Sequence, residues 1–473
     1  MRAIKTAFQS AFLLVLTLGM APAARPEDEP RSGDSVGSYG EVAGRLIDAA
    51  LADHSAWDRL AELTDHFPHR LSGSGDLERA VAWALGAMRE DGLQNVHGEK
   101  VVVPHWVRGA ESATILEPAR HALHVLGLGG SVGTPPEGLT AEVIVVESFD
   151  ELERRGAEVK GKIVLFNAPY AGYGRTVPYR TQGAARAARH GAVAHLVRSV
   201  TPTSLSTPHT GAMLYEEGVP RIPSAAVTTE AAQMMARMQA RGERIVLRLC
   251  MEAQTLPDAE SANVVGEVVG RERPHEIVLV GGHIDGWDVG TGAMDDAGGC
   301  VATWEAVRLI KRLGLEPRRT LRVVLFTNEE NGLRGGTGYA AEHEAELGNH
   351  VLAIELDSGI FRPGGVRFSG SPEALTTIEE IARLLERLGA ASVRPGGGGP
   401  DIAPLVRAGV PGLTLWFENT NYMDYHHSPA DTADKIDPDA MARCVAVVAV
   451  MAYVVADMPA RLPTQVGGIE TSR

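Results

Sequence analysis

The sequence predicts an α/β protein in which helices cover both faces of a central sheet and a second, β-rich domain interrupts the first. After residue 260, buried apolar runs such as EIVLVGG and TLRVVLFTNEE alternate with helical patterns such as AGGCVATWEAVRLIKRLG. This alternation is typical of α/β folds. Residues 112–255 instead combine short β-rich runs with Ala-rich helical segments, which indicates a separate inserted domain.

Length and composition are those of a multidomain globular protein. The chain has 473 residues, of which 44% are hydrophobic and 22% are charged, so two or three sizeable cores are possible and wholesale disorder is excluded. The formal net charge of −15 argues against nucleic acid or an anionic membrane as the main partner.

The N-terminus predicts a signal peptide over residues 1–23. Arg2 and Lys5 precede the apolar run AFLLVLTLGM, and APAA follows it as a cleavage site. The absence of an Arg-Arg pair favours Sec-type export, so we expect a secreted or periplasmic protein. A retained membrane anchor is the alternative, but the apolar run is short for a span, and we expect no stable membrane insertion after signal removal.

The remaining chain divides into a polar linker and two predicted domains. Residues 24–40 form the linker, 41–111 and 256–460 form the main domain, and 112–255 form the insert. HRLSGSGDLERA predicts a loop with an N-cap residue that leads into the next helix. An apolar run of about 13 residues near the C-terminus is too short for a bilayer, so a core helix is expected there.

The cysteine pattern leaves the redox state open. The three cysteines are Cys250, Cys300 and Cys444, and their spacing is not of a metal-binding type. With an odd number, at most one disulfide can form within the chain. Buried free thiols fit the sequence equally well.

Histidines and carboxylates collect where predicted strands end. In open α/β sheets the functional groups lie at the carboxyl edge of the strands, so these side chains are expected to meet there with Asp295. The candidates are His283 and Asp285 after EIVLVGG, Glu329 and Glu330 after RVVLFTN, Asp357 after VLAIEL, and His426 and His427 after GLTLWF.

This set of side chains indicates a metal centre. Mixed histidine and carboxylate ligation suits Zn²⁺, and a shared carboxylate allows two ions to lie side by side. Such a site needs about five protein ligands and one free carboxylate that accepts a proton. A single loop Asp is more commonly a cap or a solvated charge, but so many groups at strand ends are hard to attribute to chance. The set that fits is His283, Asp295, Glu330, Asp357 and His427, with Glu329 left over.

These residues resemble the di-zinc aminopeptidase/carboxypeptidase superfamily and, within it, the carboxypeptidase Q (plasma glutamate carboxypeptidase) branch. The matching motifs are HIDGWDVGTGAMDD, NEENGLRGGTGYA, ELDSG and HHSPADT, and the resemblance covers about residues 41–455. It implies the zinc exopeptidase fold, a mixed central sheet flanked by helices. VPYRTQGAARAARHGAVAHLV in the insert is similar to a protease-associated domain, although a plain structural insert is the alternative.

The resemblance implies how two Zn²⁺ ions would be bound. Asp295 would bridge both ions through its carboxylate. His283 and Asp357 would complete one site, and Glu330 and His427 would complete the other. The peptide bond that follows Asp295 is cis in relatives.

The resemblance also implies roles for the neighbouring carboxylates. Glu329 would be the general base, which takes a proton from the attacking water and passes it to the leaving amine. Asp285 would orient His283, as carboxylates behind metal-bound histidines commonly do. Asp431 would support His427 in the same way.

Two further positions are interpreted through the family pattern. The family ligand is the His directly before Ser or Thr, which selects His427 over His426. RPGGGGPDIAP departs from the pattern because Pro400 precedes Asp401, where relatives carry a small polar residue, so a role for Asp401 near the substrate stays open. The run Gly396–Gly399 predicts a flexible loop that orders on binding.

The predicted function is that of a secreted co-catalytic di-zinc exopeptidase that hydrolyses dipeptides or short peptides with a free terminus. An aminopeptidase that acts on longer peptides is the alternative. A glutaminyl cyclase, which uses a related fold with one zinc, and a non-catalytic binding protein are disfavoured by the complete ligand set. The resemblance also allows a homodimer.

Overall fold

The computed structural model describes residues 36–464 and contains two eight-stranded sheets, each with its own helices. The predicted signal peptide at 1–23 and most of the predicted linker at 24–40 lie outside the described residues. The strands are β1 (Gln94–Val107), β2 (Glu111–Glu117), β3 (His121–Leu123), β4 (Val125–Gly127), β5 (Leu139–Val146), β6 (Ile163–Phe166), β7 (Ala194–Arg198), β8 (Ser224–Val227), β9 (Val246–Met251), β10 (Gln254–Val268), β11 (Arg273–His283), β12 (Arg319–Phe326), β13 (His350–Glu355), β14 (Pro363–Ser369), β15 (Ser392–Pro395) and β16 (Gly412–Phe417). The helices are α1 (Gly40–Leu51), α2 (Ser55–His66), α3 (Gly75–Glu90), α4 (Phe149–Arg154), α5 (Tyr173–Thr181), α6 (Gly183–Arg189), α7 (Thr229–Ala240), α8 (Gly298–Arg312), α9 (Arg334–Glu342), α10 (Pro372–Arg383), α11 (Ala403–Arg407), α12 (Tyr422–Tyr425) and α13 (Pro438–Asp457).

The first sheet is mixed and has the order β1-β10-β12-β11-β13-β16-β14-β15. Its centre is parallel, because β11 pairs in parallel with β12 and β13, and β13 pairs in parallel with β16. Antiparallel pairing adds β10 and β1 on one side and β14 on the other. The predicted fold class, a mixed central sheet flanked by helices, is therefore confirmed.

Both faces of this sheet are buried by helices. On β12, Val323 and Leu325 point into a large core with α1, α2, α3, α8, α10 and α13, whereas Val324 and Phe326 point into a smaller core with α9 and α11. Successive side chains of a strand alternate between faces, so a strand that is apolar throughout must be covered on both sides. The near-continuous apolar runs of the sequence have this structural cause.

Helix α13 is longer than its apolar run predicts. It has 20 residues and is long and apolar enough to cross a membrane by length and composition, so the argument that its apolar run is too short for a bilayer is wrong. Asp437 caps its N-terminus by accepting the N–H of Asp439, and alanines extend the helix beyond the valine-rich centre. The helix nevertheless lies in the core of the protein, buried along almost its whole length.

The second sheet is formed entirely by the segment between β1 and β10 and has the order β3-β2-β9-β5-β6-β7-β8-β4. Val107 at the end of β1 pairs with Gln254 at the start of β10, so the chain leaves and re-enters the first sheet at adjacent points. The first strand of the insert begins at Glu111, one residue before the predicted segment 112–255. The assignment of this insert as a protease-associated domain stays a prediction.

Three smaller expectations can be compared with the structure. Ser74 caps α3, because its side chain accepts the N–H of Leu77 at 3.1 Å, as predicted. The last residues of the predicted linker are ordered, since Val36–Tyr39 form a short 3-10 helix and the Tyr39 hydroxyl donates to Asp457 of α13. The question left open by the cysteines is answered by free thiols at all three positions.

Candidate metal centre and active site

The predicted ligands lie at one edge of the first sheet. His283 is the last residue of β11, Glu330 follows β12, and Asp357 follows β13. Because these three strands are parallel and adjacent, their carboxyl ends meet at the same edge. Asp295 reaches this edge from the turn before α8, and His427 reaches it from the loop after α12. The structure therefore brings all five predicted ligands together.

The carboxylate of Asp295 lies between two groups of ligand atoms. Its Oδ1 is 3.3 Å from Nε2 of His283, and that nitrogen is 3.6 Å from Oδ1 of Asp357. Its Oδ2 is 3.2 Å from Nε2 of His427, and that nitrogen is 3.0 Å from Oε2 of Glu330. Each oxygen of Asp295 thus belongs to a separate cluster, as a bridging ligand requires.

Several of these atoms are buried without a hydrogen-bond partner among residues 36–464. They include Nε2 of His283, Oδ2 of Asp295 and Oε1 of Glu330. Buried polar atoms are normally paired, so this group lacks the partner that a cation would supply. Zn²⁺ binds nitrogen and oxygen at about 2.0–2.2 Å in tetrahedral geometry, which places two ligand atoms roughly 3.3 Å apart. The observed spacings fit that value.

Glu329 lies beside the ligands on the wall of a cavity of about 590 Å³. Burial raises the pKa of Glu329 well above its ordinary value, and the charges of Asp357, Glu330 and Asp295 raise it further. A carboxylate with a raised pKa holds a proton more readily than an ordinary glutamate. The position and environment of Glu329 therefore suit the proton transfer that the sequence assigns to it.

Asp285 is buried behind the ligands, but its contacts differ from the predicted ones. Nδ1 of His283 lies 3.1 Å from the backbone oxygen of Asp285 and 3.6 Å from its carboxylate. The carboxylate accepts the backbone N–H of Glu329 at 3.0 Å and that of Glu330 at 3.2 Å. Asp285 thus orients His283 mainly through its backbone and uses its side chain to position the loop after β12.

The structure offers two competing ligands close to the predicted ones. Asp296 lies near His283 and Asp357, and His426 lies near Asp295. The carboxylate of Asp296, however, accepts the backbone N–H of His283 and of Gly299, so its oxygens are already engaged. Nε2 of His426 is 3.7 Å from Asp295, farther than that of the predicted ligand. The peptide bond between Asp295 and Asp296 is cis, as the resemblance implies.

Asp431 supports Asp295 rather than His427, which differs from its predicted role. Its carboxylate accepts the backbone N–H of Met294 at 2.7 Å and that of Asp295 at 3.2 Å. Burial raises the pKa of Asp431 to about 7. The loop that carries Asp431 returns to the turn before α8, so these bonds fix the backbone beside the bridging carboxylate.

Asp401 is fully buried next to Glu355, the last residue of β13. The Glu355 carboxylate accepts the backbone N–H of Asp401 at 3.3 Å and that of Ile402 at 2.8 Å. Two glycines of the run Gly396–Gly399 pack closely: a Cβ at Gly397 would lie 2.3 Å from the backbone oxygen of Arg367, and a Cβ at Gly399 would lie 2.3 Å from Cδ of Glu355. Gly396 and Gly398 instead have positive φ values of +88° and +123°. Close packing therefore explains Gly397 and Gly399, which the sequence did not indicate, and the ordering of this loop on binding stays a prediction.

Two arginines near the site were missed by the sequence reasoning. Arg70 is fully buried and donates to the backbone oxygens of Ile284, Thr291 and Gly292, which belong to the loop between two ligands. Arg180 extends from α5 of the insert to the loop of the last ligand. Neither arginine directly follows an apolar strand run. The pattern that predicted the ligands, polar residues at strand ends, therefore could not predict these two arginines.

Comparison with known proteins identifies the family. The model of peptidase family M28 matches residues 263–452. Carboxypeptidase Q from Homo sapiens is 49% identical over 433 residues, which cover 91% of this chain and 92% of that protein. The chain belongs to peptidase family M28. Carboxypeptidase Q from Bos taurus, 48% identical over 94% of both chains, places this M28 protein on the same branch.

Solved structures agree with this assignment. The peptidase M28 precursor from Shewanella amazonensis is 37% identical with a TM-score of 0.88, over 91% of this chain and 99% of that one. A zinc aminopeptidase from Bacillus subtilis is 20% identical with a TM-score of 0.66, over 86% and 96% of the two chains, and shows the shared fold alone. This M28 protein is therefore a metallo-exopeptidase, and the predicted family and enzyme class are confirmed.

Proposed function

We propose that this M28 protein is a co-catalytic di-zinc exopeptidase that hydrolyses dipeptides or short peptides with a free terminus. The observation that carries the proposal is the placement of the two oxygens of Asp295 in separate ligand clusters, one with His283 and one with His427. The solved structures of the same fold include zinc aminopeptidases, which supports zinc as the metal. The histidine and carboxylate donors are those that zinc prefers.

The five ligands would hold two ions, with Asp295 shared between them. When bound, the ions would supply Lewis-acid chemistry, polarising the scissile carbonyl and activating a water for attack. Asp285 and Asp431 hold the backbone on either side of this centre through buried hydrogen bonds. The chain therefore contributes a ligand set whose loops are fixed by its own side chains.

Glu329 would move the proton. Its carboxylate lines the cavity beside Asp295 and Asp357, and burial raises its pKa. From this position it takes a proton from the attacking water and delivers it to the nitrogen of the leaving amine, so that the peptide bond breaks and the new carboxylate forms. General acid–base catalysis of this kind contributes about 10²–10⁴ in rate.

The Glu329→Gln variant tests this proposal. We expect two zinc ions per chain in the wild type and in the variant, and a loss of dipeptide hydrolysis of about 10²–10⁴-fold in the variant alone. Glu344→Gln, which changes an exposed glutamate, is the matched control and should behave as the wild type. Zinc content would be measured by mass spectrometry after removal of free metal.

Other outcomes would point elsewhere. A single zinc per chain with cyclisation of N-terminal glutamine, and no hydrolysis, would indicate the cyclase alternative. Faster cleavage of long peptides than of dipeptides, one residue at a time from the N-terminus, would indicate the aminopeptidase alternative. The absence of stoichiometric metal would overturn the ligand assignment.

Export is a separate part of the proposal and rests on residues 1–23. The charged start, apolar run and small-residue site are those of a signal peptide. The mature protein, recovered from the periplasm or the medium, should begin at Ala24. A mature protein with Met1 intact and bound to membranes would instead indicate a retained anchor.

A further inference from the structure

The loop that carries the last metal ligand is hydrogen-bonded to the insert. Nδ1 of His209 lies 2.7 Å from the backbone oxygen of His426. Because a carbonyl oxygen can only accept, this nitrogen carries a proton and donates. The backbone N–H of Thr210 donates to the backbone oxygen of His427 at 2.8 Å. Two consecutive residues of the insert therefore hold two consecutive carbonyl groups of the ligand loop.

The same segment of the insert also contacts the imidazole ring of His427. Nδ1 of His427 lies 3.3 Å from the backbone oxygen of Thr210. A carbonyl behind the ring keeps the proton on Nδ1 and leaves Nε2 as the ligand atom. Nε2 then faces Oδ2 of Asp295 at 3.2 Å and Oε2 of Glu330 at 3.0 Å. Thr210 thus supports the ligand residue at both its backbone and its ring.

The backbone conformation of His427 requires such support. Its φ is +58°, which lies in the left-handed region. Residues other than Gly adopt this region uncommonly, and they keep it only where the surrounding structure holds them there. The two residues of the insert that bond this loop are buried, since His209 is 3% exposed and Thr210 is fully buried. Hydrogen bonds away from water are stronger than exposed ones.

His209 and Thr210 are themselves fixed to the sheet of the insert. The backbone N–H of His209 donates to Oγ of Ser199 at 2.9 Å, and this hydroxyl donates to the backbone oxygen of Val227 on β8 at 2.8 Å. The hydroxyl of Thr210 donates to the backbone oxygen of Gly127 on β4 at 2.7 Å. Buried hydrogen bonds therefore connect the sheet of the insert with the last ligand.

Other ligands are supported from within the main domain. Nδ1 of His283 faces the backbone oxygen of Asp285 at 3.1 Å. The carboxylate of Asp431 accepts the backbone N–H of Asp295 at 3.2 Å. His427 differs from these two ligands, because the groups that hold its backbone oxygen and face its Nδ1 belong to the insert.

We propose that His209 is a positioning residue which, together with Thr210, directs Nε2 of His427 towards one of the two zinc ions. This inference rests on the proposed function, in which His427 and Glu330 hold that ion. The affinity for this ion then depends on a domain that contributes no ligand, whereas the affinity for the other ion depends on the main domain alone.

The test replaces His209 by Phe and by Asn and measures zinc affinity by chelator competition. Phe keeps a flat ring but cannot donate, whereas the amide nitrogen of Asn, like Nδ1, is bonded to Cγ and can donate. We expect His209→Phe to weaken the binding of one zinc ion about 10- to 100-fold and that of the other less than about threefold. His209→Asn should change both affinities less than about threefold. His195→Asn, at another buried histidine of the insert, is the matched control and should behave as the wild type.

The His427→Ala background identifies the affected ion. This variant should retain the ion that His427 does not hold, so adding His209→Phe should cause no further loss of zinc affinity. Three results would overturn the inference: a further loss in the double variant, equal weakening of both ions in His209→Phe, or wild-type zinc affinities in His209→Phe. An equal loss in His209→Phe and His209→Asn would also reject it, because ring packing rather than the hydrogen bond would then position the loop.

Hydrogen exchange of the metal-free protein separates this inference from the proposed function. The amides of residues 422–431 should exchange about tenfold faster in His209→Phe than in the wild type, because the loop loses a buried hydrogen bond. If the wild type binds no stoichiometric zinc, the proposed function fails and this comparison decides the inference, since unchanged exchange rejects it. If His209→Phe unfolds the insert, Ser199→Ala takes its place, because it removes the hydroxyl that holds the N–H of His209. Faster exchange of the same loop in Ser199→Ala supports the inference, and wild-type exchange rejects it.

Discussion

The carboxylate of Asp285 holds the backbone of Glu329, the residue to which proton transfer is assigned. Oδ1 of Asp285 accepts the N–H of Glu329 at 3.0 Å, and Oδ2 accepts the N–H of Glu330 at 3.2 Å. Through the backbone oxygen of Asp285, the same residue also contacts Nδ1 of His283. One buried aspartate therefore links a ligand on β11 with a ligand and the proton acceptor that follow β12.

Replacing Asp285 by Asn should weaken both zinc binding and catalysis. The amide offers one acceptor oxygen in place of two, so one backbone N–H of the loop after β12 loses its partner. We expect zinc affinity, measured by chelator competition, to fall about 10- to 100-fold, with a similar fall in kcat. Asp434→Asn removes an exposed carboxylate and should change neither quantity. Unchanged zinc affinity and kcat in Asp285→Asn would show that the contact is dispensable.

Replacing His427 by Ala should lower the number of bound zinc ions, whereas replacing the adjacent His426 by Ala should not. Nε2 of His427 lies 3.2 Å from Asp295 and 3.0 Å from Glu330, whereas Nε2 of His426 lies 3.7 Å from Asp295. The two rings stack with centroids 3.6 Å apart, so each variant is a natural control for the other. We expect His427→Ala to retain one zinc ion and His426→Ala to retain two. The reverse stoichiometry would assign the ligand to His426.

The ligands could be predicted from the sequence because the sheet topology brings them to one edge of the sheet. His283, Glu330 and Asp357 each follow an apolar run, and parallel pairing brings the ends of such runs to one edge. This relationship needs only strand positions, which apolar runs reveal. The mixed sheet and the helices on both faces follow from the same pattern.

Contacts between side chains and backbone atoms could not be predicted from the pattern of apolar runs. Asp431 supports the backbone of Asp295, and Arg70 donates to carbonyl groups, which every residue carries. The run that ends at Gly399 predicts a flexible loop, but at Gly399 itself Glu355 lies too close for a Cβ. These contacts depend on the three-dimensional path of the loops, so a single sequence could not show them.

Arg70 should be more important for stability than a surface arginine. It is fully buried and donates to the backbone oxygens of Ile284, Thr291 and Gly292 at 2.7–3.0 Å. A lysine cannot reproduce this planar fork, so Arg70→Lys leaves buried carbonyl groups unpaired. We expect the free energy of unfolding, measured with urea, to fall by about 2–4 kcal/mol.

The control for this prediction is Arg79→Lys, which changes an exposed arginine on α3 and should cost less than about 0.5 kcal/mol. Zinc affinity should also fall in Arg70→Lys, because the loop between His283 and Asp295 loses hydrogen bonds that Arg70 donates to its backbone oxygens. If the two variants have equal stability, the carbonyl groups have found other partners, and the assigned role of Arg70 is wrong.

His195 should make the insert sensitive to acid. Its ring is fully buried on β7, with Nδ1 2.6 Å from Oγ of Ser224 and a further hydrogen bond to the backbone of Tyr179. Burial lowers the pKa of His195 from 6.5 to about 3. Between pH 6.5 and about pH 3 the ring of His195 is protonated in the unfolded state but neutral in the folded state. Acid therefore favours the unfolded state in this range. Stability therefore falls with falling pH across this window.

The loss of stability at low pH that is due to His195 can be measured by comparison with the His195→Asn variant. Between pH 7.5 and pH 5, the free energy of unfolding of the wild type should fall by about 2 kcal/mol more than that of the variant, because each pH unit below 6.5 costs about 1.4 kcal/mol. Urea denaturation with chelator present separates this effect from metal binding. His121→Asn, an exposed histidine in the same sheet, should keep the pH dependence of the wild type. If His195→Asn keeps it too, the folded ring must accept a proton in this range, and the burial of His195 does not determine the acid sensitivity.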